Sequence, residues 1–176
     1  MNAARTLWLA LLLAVVVIAT IVILPRLTNR NPVGNTLTVY YTKASDGTSQ
    51  VSWPVSMRPM QSGESASEHI HNAALYAAVQ SIAGPPADVA AVRFPIGTRV
   101  LSVLVNGSTA TVDISGDVKK QGRGTFGENG EFKSLVYTLT SVPGIDAVAV
   151  LVDGQKLDTL PGGHLELDQP LHRADF

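Results

Sequence analysis

The chain opens on an unbroken apolar stretch and then changes character. From Leu7 to Leu24 no residue is charged, and only Thr20 carries a hydroxyl. As a helix this run is roughly 27 Å long, close to the hydrocarbon thickness of a bilayer. Trp8 stands where an interfacial aromatic is favoured. Arg5 flanks one end, and Pro25, Arg26 and Arg30 flank the other. The run closes Ile-Val-Ile-Leu-Pro-Arg, without the small-x-small site that signal cleavage requires. The sequence therefore predicts an uncleaved, single-pass transmembrane anchor over 7–24. The short tail 1–6 is the natural cytoplasmic side, which puts the rest of the chain outside the cytoplasm. Residues 25–36 are polar, with Pro32 and Gly34, and read as a linker.

Beyond the linker, strand and helix periods alternate. Leu37–Tyr41 is β-branched and aromatic, and predicts a strand. Asp46-Gly47 signals a turn. Val51–Met57 alternates apolar with polar and predicts a second strand, where Pro54 implies an edge or a bulge. Ser67–Ile82 predicts a helix capped by Ser67, with Ile70, Ala74, Leu75, Ala78, Val79 and Ile82 on one face. Gly84-Pro85-Pro86 stops it. Val100–Val105, Asn106-Gly107 and Ala110–Ile114 predict a hairpin, with Leu101, Val103 and Val105 turned to one side. Gln121–Gly130 reads as a mobile glycine-rich loop and Phe132–Ser141 as a second helix. Ala147–Val152 is a continuous apolar strand that turns at Asp153-Gly154.

This order predicts an α+β fold: a small mixed β-sheet with two helices packed on one face. The domain runs over 37–157, followed by an irregular tail over 158–176. Leu101, Val103, Val112, Leu139 and Val150 are expected in the core.

Composition narrows the function. There are 13 basic and 14 acidic residues and no cysteine. A nucleic-acid partner calls for a concentrated basic face, and no run of Lys and Arg makes one. Without cysteine there is no disulfide, no thiolate metal site and no lipidated N-terminal cysteine.

Each candidate for chemistry has a plainer reading. Gly122-Arg-Gly-Thr-Phe-Gly127 matches G-x-G-x-x-G, but a dinucleotide site needs a strand entering the first glycine and a helix opening at the last. Ser115–Gln121 and Glu128-Asn129-Gly130 intervene. His69 and His71 lie roughly 200° apart around a helix, whereas helical metal pairs are three or four apart, so both read as solvated surface groups. His164 and His172 have no evident partner cluster. No G-x-S-x-G elbow supports a hydrolase. Asp113 reads as a strand-end side chain that bonds turn amides. Tyr137 reads as helix packing, with Thr138 and Thr140 as surface contacts at most. Asn106-Gly-Ser108 matches a glycosylation acceptor in form, and its hairpin role suffices to explain it. No catalytic, cofactor-binding or metal residue is assigned, and no cofactor.

The ordered motifs resemble the GerMN domain of bacterial sporulation and spore germination proteins. They are Leu37-Thr-Val-Tyr-Tyr41, Ile82-Ala-Gly-Pro85, Pro95-Ile-Gly-Thr98, Val112-Asp-Ile-Ser115, Tyr137-Thr-Leu-Thr140, and Pro143-Gly-Ile145 leading to Asp153-Gly154. The match covers about Leu37 to Leu157. The family is not known for catalysis, its members sit in bacterial envelopes, and its fold is similar to ring-building domains. The resemblance therefore implies a non-enzymatic, membrane-anchored envelope domain, possessing sporulation or germination relatives, that mediates protein–protein assembly. The chain departs from the family pattern in anchorage, with a helix in place of a lipidated cysteine, and in carrying one domain copy where some members have two. Expected partners are membrane lipid through the N-terminal helix, and envelope proteins or a second copy of the chain. The alternative is a module that binds or senses a small molecule or cell-wall fragment. A concave pocket of convergent polar groups would favour that alternative. A bare sheet edge or exposed apolar patch would favour assembly.

Overall fold

The computed structural model describes residues 34–120, 124–161 and 163–176. The anchor expected over 7–24, the tail 1–6 and the first part of the linker lie outside the described residues. Among the described residues no helix is long and apolar enough to cross a membrane.

The strands are β1 (Thr36–Thr42), β2 (Gln50–Ser56), β3 (Val100–Asn106), β4 (Thr109–Ile114) and β5 (Ala147–Val152). The helices are α1 (Ala66–Ala83) and α2 (Gly124–Leu139), with short 3-10 turns at Gly116–Lys119 and Arg173–Asp175. The α+β class and the element order match the sequence reading. The single sheet does not. β1 and β2 form an antiparallel pair of their own, while β3, β4 and β5 make a three-stranded mixed sheet in that order. The reason lies in β1. Its second side is occupied by hydroxyls of α2, so no strand can join it there. Tyr40 N–H donates to Thr138 Oγ1 (2.9 Å) and Thr42 N–H to Ser134 Oγ (2.9 Å). Ser141 Oγ donates to the Thr38 carbonyl at 2.9 Å. Ser134 and Thr138 lie on one face of α2 and Ser141 in the turn just after it, so the helix and its end supply what a neighbouring strand would. Just beyond, Val92 N–H donates to the Thr42 carbonyl (2.8 Å).

The core lies between the inner face of the three-stranded sheet and the two helices. Val103, Val112 and Val150 stand in one cross-strand row, and Leu135, Val136 and Leu139 come from α2. Leu101, expected beside them, is 50% exposed. The register shifts between Val100 and Ser102, so Leu101 is the extra residue of a bulge. A bulge breaks the two-residue alternation and re-aims the side chain.

Helix α1 starts one residue earlier than the sequence reading placed it, and its cap lies two residues earlier. Ser65, not Ser67, is the cap: Glu68 N–H donates to Ser65 Oγ, and Ser65 N–H to Glu68 Oε2. This is a reciprocal capping box. The buried face is made of His69, Ala73, Ala74, Ala77, Ala78, Ser81 and Ile82. Leu75 and Val79, assigned to that face, are exposed. Small residues let the helix approach closely, and the two larger ones fall one position off the contact line.

Helix α2 also starts early, at Gly124, inside the expected glycine-rich loop. Glycine in a helix costs about 1 kcal/mol relative to alanine, which is why the stretch reads as a loop. Gly130 is required by packing instead: a Cβ there would meet Val92 Cγ2 at 2.9 Å. The tail after residue 157 is irregular, as expected, yet it packs firmly. Leu160, Leu167 and Leu171 are buried, and Leu171 bridges to Val148 of β5. Arg173 lies over the Tyr137 and Tyr40 rings and donates to the Tyr137 carbonyl and to Thr140 Oγ1. A guanidinium at the last turn of α2 also meets the negative end of its dipole.

Candidate interaction surface

The polar groups that could do chemistry are held by one another. Asp113 accepts from Gly154 N–H at 2.9 Å, and Asp153 of that turn accepts from Gly116 N–H at 2.8 Å. This is the turn-bonding role expected for Asp113. Thr138 has no surface role, being fully buried against β1, and Thr140 takes the Arg173 side chain. Within G-x-G-x-x-G, the described part opens α2 directly, so no strand-loop-helix cradle of the dinucleotide kind forms across Gly124–Gly127. His69 is buried rather than solvated, with Nδ1 at 3.4 Å from Glu64 Oε2. His71, half-buried, lines a separate cleft. His164 and His172 border a groove at the tail, where the His172 ring faces the Asp146 carbonyl at 3.2 Å. Among the described residues no three His, Cys, Asp or Glu side chains are grouped to hold a metal ion.

Sequence reasoning missed Glu64, the most heavily bonded carboxylate. It takes both arms of the Arg58 guanidinium (2.7 and 3.0 Å), Gln61 N–H (2.8 Å) and Asn72 Nδ2 (2.7 Å). These donors, Arg58 first, hold its pKa down at about 2. A cleft of about 590 Å³ runs beside it, lined by Arg58, Glu64, Glu68, His71 and Asn72, with Val105 on its far wall. Its strongest polar groups are thus spent fixing the Arg58–Glu64 loop onto α1. Because the folded pKa is depressed, the stabilisation is present above the ordinary value of 4.5 and is lost as pH falls towards 2. The melting-temperature gap between the wild-type chain and Glu64→Gln is therefore expected to be widest above pH 4.5 and to shrink steadily towards pH 2. A gap that stays constant across this window would show that the carboxylate charge does not hold the loop.

The sheet edges differ more than the clefts. β1 is closed by α2. On β2, Lys43 N–H bonds to Ser49, so the alternate residues, including Pro54, turn their backbone outward. Pro54 has no N–H to offer there, and the Ser56 carbonyl is taken by the Tyr76 hydroxyl at 3.0 Å. The Pro54 expectation of an edge strand is met. β5 is closed at both ends, by Leu171 on Val148 and by Gln155 on Val152. On β3 no hydrogen bond from another element reaches the outer edge among the described residues, although α1 packs against the strand. Ser108 and Ile114 carbonyls bond towards β5, so Thr109, Thr111 and Asp113 bond towards β3. Their partners Asn106, Leu104 and Ser102 point inward, which leaves the N–H and C=O of Val103 and Val105 directed off the sheet. Leu104 is 63% exposed beside them. The hairpin pattern could have revealed an exposed leucine, because Leu101 and Leu104 fall on opposite parities and cannot both face one core, but it could not reveal the edge.

A family model described as Germane, "Sporulation and spore germination", matches residues 38–158. Three solved structures share the fold. One, described as a "Putative Lipoprotein from Clostridium perfringens", superposes with a TM-score of 0.54 at 21% identity, over 80% of this chain and 88% of that one. The tandem GerMN domains of the sporulation protein GerM from Bacillus subtilis give a TM-score of 0.55 at 23% identity. The alignment covers 80% of this chain and 47% of that one, so the chain spans about half of the tandem pair. The first GerMN domain of GerM gives 0.55 at 24% identity, over 80% of this chain and 98% of that one. No curated protein matches the chain.

Proposed function

The chain belongs to the Germane family of sporulation and spore germination domains, and from that premise we propose that it is a non-enzymatic domain contributing protein–protein contacts to an assembly in the bacterial cell envelope. In this reading the apolar run 7–24 anchors the chain as a single pass, and the domain works outside the cytoplasm. The observation that carries the reading is the open β3 edge, with Leu101 and Leu104 exposed along it. An uncovered apolar edge is a standing invitation to pair with another chain, and folded proteins normally blunt it. The lipoprotein description of the Clostridium perfringens relative supports an envelope location. The competing reading, a receptor for a small molecule or cell-wall fragment, is weakened by the Glu64 cleft. Its carboxylate already has four donors from the protein.

Crosslinking in cells tests the proposal. The full chain is expected to yield a specific protein adduct, and an exported version lacking residues 1–33 to yield less of it, because tethering raises effective concentration. If neither version gives a protein adduct, while the purified domain binds a small envelope molecule saturably, the ligand-binding reading replaces this one.

A further inference from the structure

The uncovered stretch of β3 is symmetric in character. From Ser102 to Asn106 it reads Ser-Val-Leu-Val-Asn: polar, valine, leucine, valine, polar. No residue in β3 is charged and none is proline. The bulge at Leu101 ends regular pairing on one side, and the Gly107-Ser108 turn ends it on the other. What remains is a short edge whose middle residue, Leu104, is 63% exposed.

We propose that this edge receives a second copy of the chain, β3 against β3, antiparallel and centred on Leu104. The proposal rests on the assembly reading above and names its surface and its partner. Antiparallel pairing about one residue is what a two-fold axis requires. It sets Val103 opposite Val105 of the second copy, Ser102 opposite Asn106, and Leu104 opposite Leu104. Every position meets its own kind, and no charge is buried or opposed. The backbone agrees with this register. Val103 and Val105 carry the outward N–H and C=O groups, so Val103 and Val105 of the second copy form a hydrogen-bonded pair, twice by symmetry. Leu104 then falls in the non-bonded pair between them, where facing side chains come closest. A row across the present sheet runs Leu104, Thr111, Ala149. Pairing continues that row through both copies and makes one six-stranded sheet from two three-stranded ones.

The absence of cysteine from the chain makes the test clean. In the full-length protein in membranes, Leu104→Cys is to be compared with Trp53→Cys, an exposed position on β2. Facing Cα atoms in a non-bonded antiparallel pair are roughly 4.5 Å apart, within disulfide reach, so Leu104→Cys should give on the order of ten times more disulfide-linked dimer on mild oxidation. Leu104→Lys, at a solvent-facing position, should leave the fold intact. In detergent it should convert the sedimenting species from dimer to monomer, because two ammonium groups would oppose each other. Equal linkage at both cysteine positions, or a lysine variant that sediments as the wild type does, overturns the proposal. A photo-crosslinking residue at 104 separates the two levels. An adduct with a different envelope protein and none with a second copy rejects self-pairing but keeps the assembly reading. No adduct of either kind rejects both.

Discussion

Phe132→Ala is expected to lower the unfolding free energy by about 3–5 kcal/mol, from lost transfer energy and the cavity left behind. Phe132 is fully buried on α2, and its ring meets the edge of Phe94 at 5.8 Å between centroids. Phe94 closes the segment whose Ala91 bridges to Lys43 at the end of β1. The ring therefore joins a helix, a connecting segment and the end of a strand. Total stabilities of small domains are about 5–15 kcal/mol, so the loss is a large share of the whole. Leu101→Ala is the matched control. An exposed side chain on a bulge should change stability by about 0.5 kcal/mol or less. Urea unfolding followed by circular dichroism measures both. Equal losses for the two variants would mean that Leu101 is packed after all and that the bulge is misplaced.

Much of this architecture was legible from residue pattern. Asn106-Gly107 marks the hairpin, and Gly107 does take the positive φ of 59° that such a turn needs. β5 matches its apolar run residue for residue, with Val148, Val150 and Val152 buried on one face and Ala149 and Leu151 partly buried on the other. What escaped the pattern has a common cause, in that residue type does not reveal its partner. Ser134, Thr138 and Ser141 look like solvated helix residues, yet they stand in for a strand. Gly127 and Gly130 look like loop residues, yet one is buried and the other is dictated by the nearness of Val92. Leu101 keeps the alternation in sequence and loses it in space, because one inserted residue shifts the register. His69 looks like a surface group until the Glu64 loop folds over it. The open edge at β3 follows from the same limit. A strand's sequence shows its two faces, whereas its edges depend on which elements arrive beside it.

The hydroxyl row on α2 leads to the second large effect. Ser134→Ala with Thr138→Val is expected to cost about 2–6 kcal/mol, since each stranded backbone donor costs roughly 1–3 kcal/mol. Thr42 is fully buried, and its N–H has Ser134 Oγ as acceptor. Tyr40 N–H has Thr138 Oγ1, which also donates back to the Tyr40 carbonyl at 3.3 Å. Thr138→Val keeps the side chain's shape, so its share of the loss reports the hydrogen bond rather than a cavity. Water cannot substitute easily, because Thr138 is fully buried and Ser134 nearly so. The two changes act on one strand edge and should not be strictly additive. Ser134→Thr and Thr138→Ser retain the hydroxyls and should recover most of the stability. Amide exchange provides a local readout: the Tyr40 and Thr42 amides should lose protection well before those of β4 and β5. A double variant as stable as the wild type, with unchanged exchange at those two amides, would show that the hydroxyl row is incidental. The variant should also aggregate more readily on warming. Without those two acceptors the Tyr40 and Thr42 amides are unsatisfied, and an edge with free amides is the kind that pairs with another strand when α2 loosens.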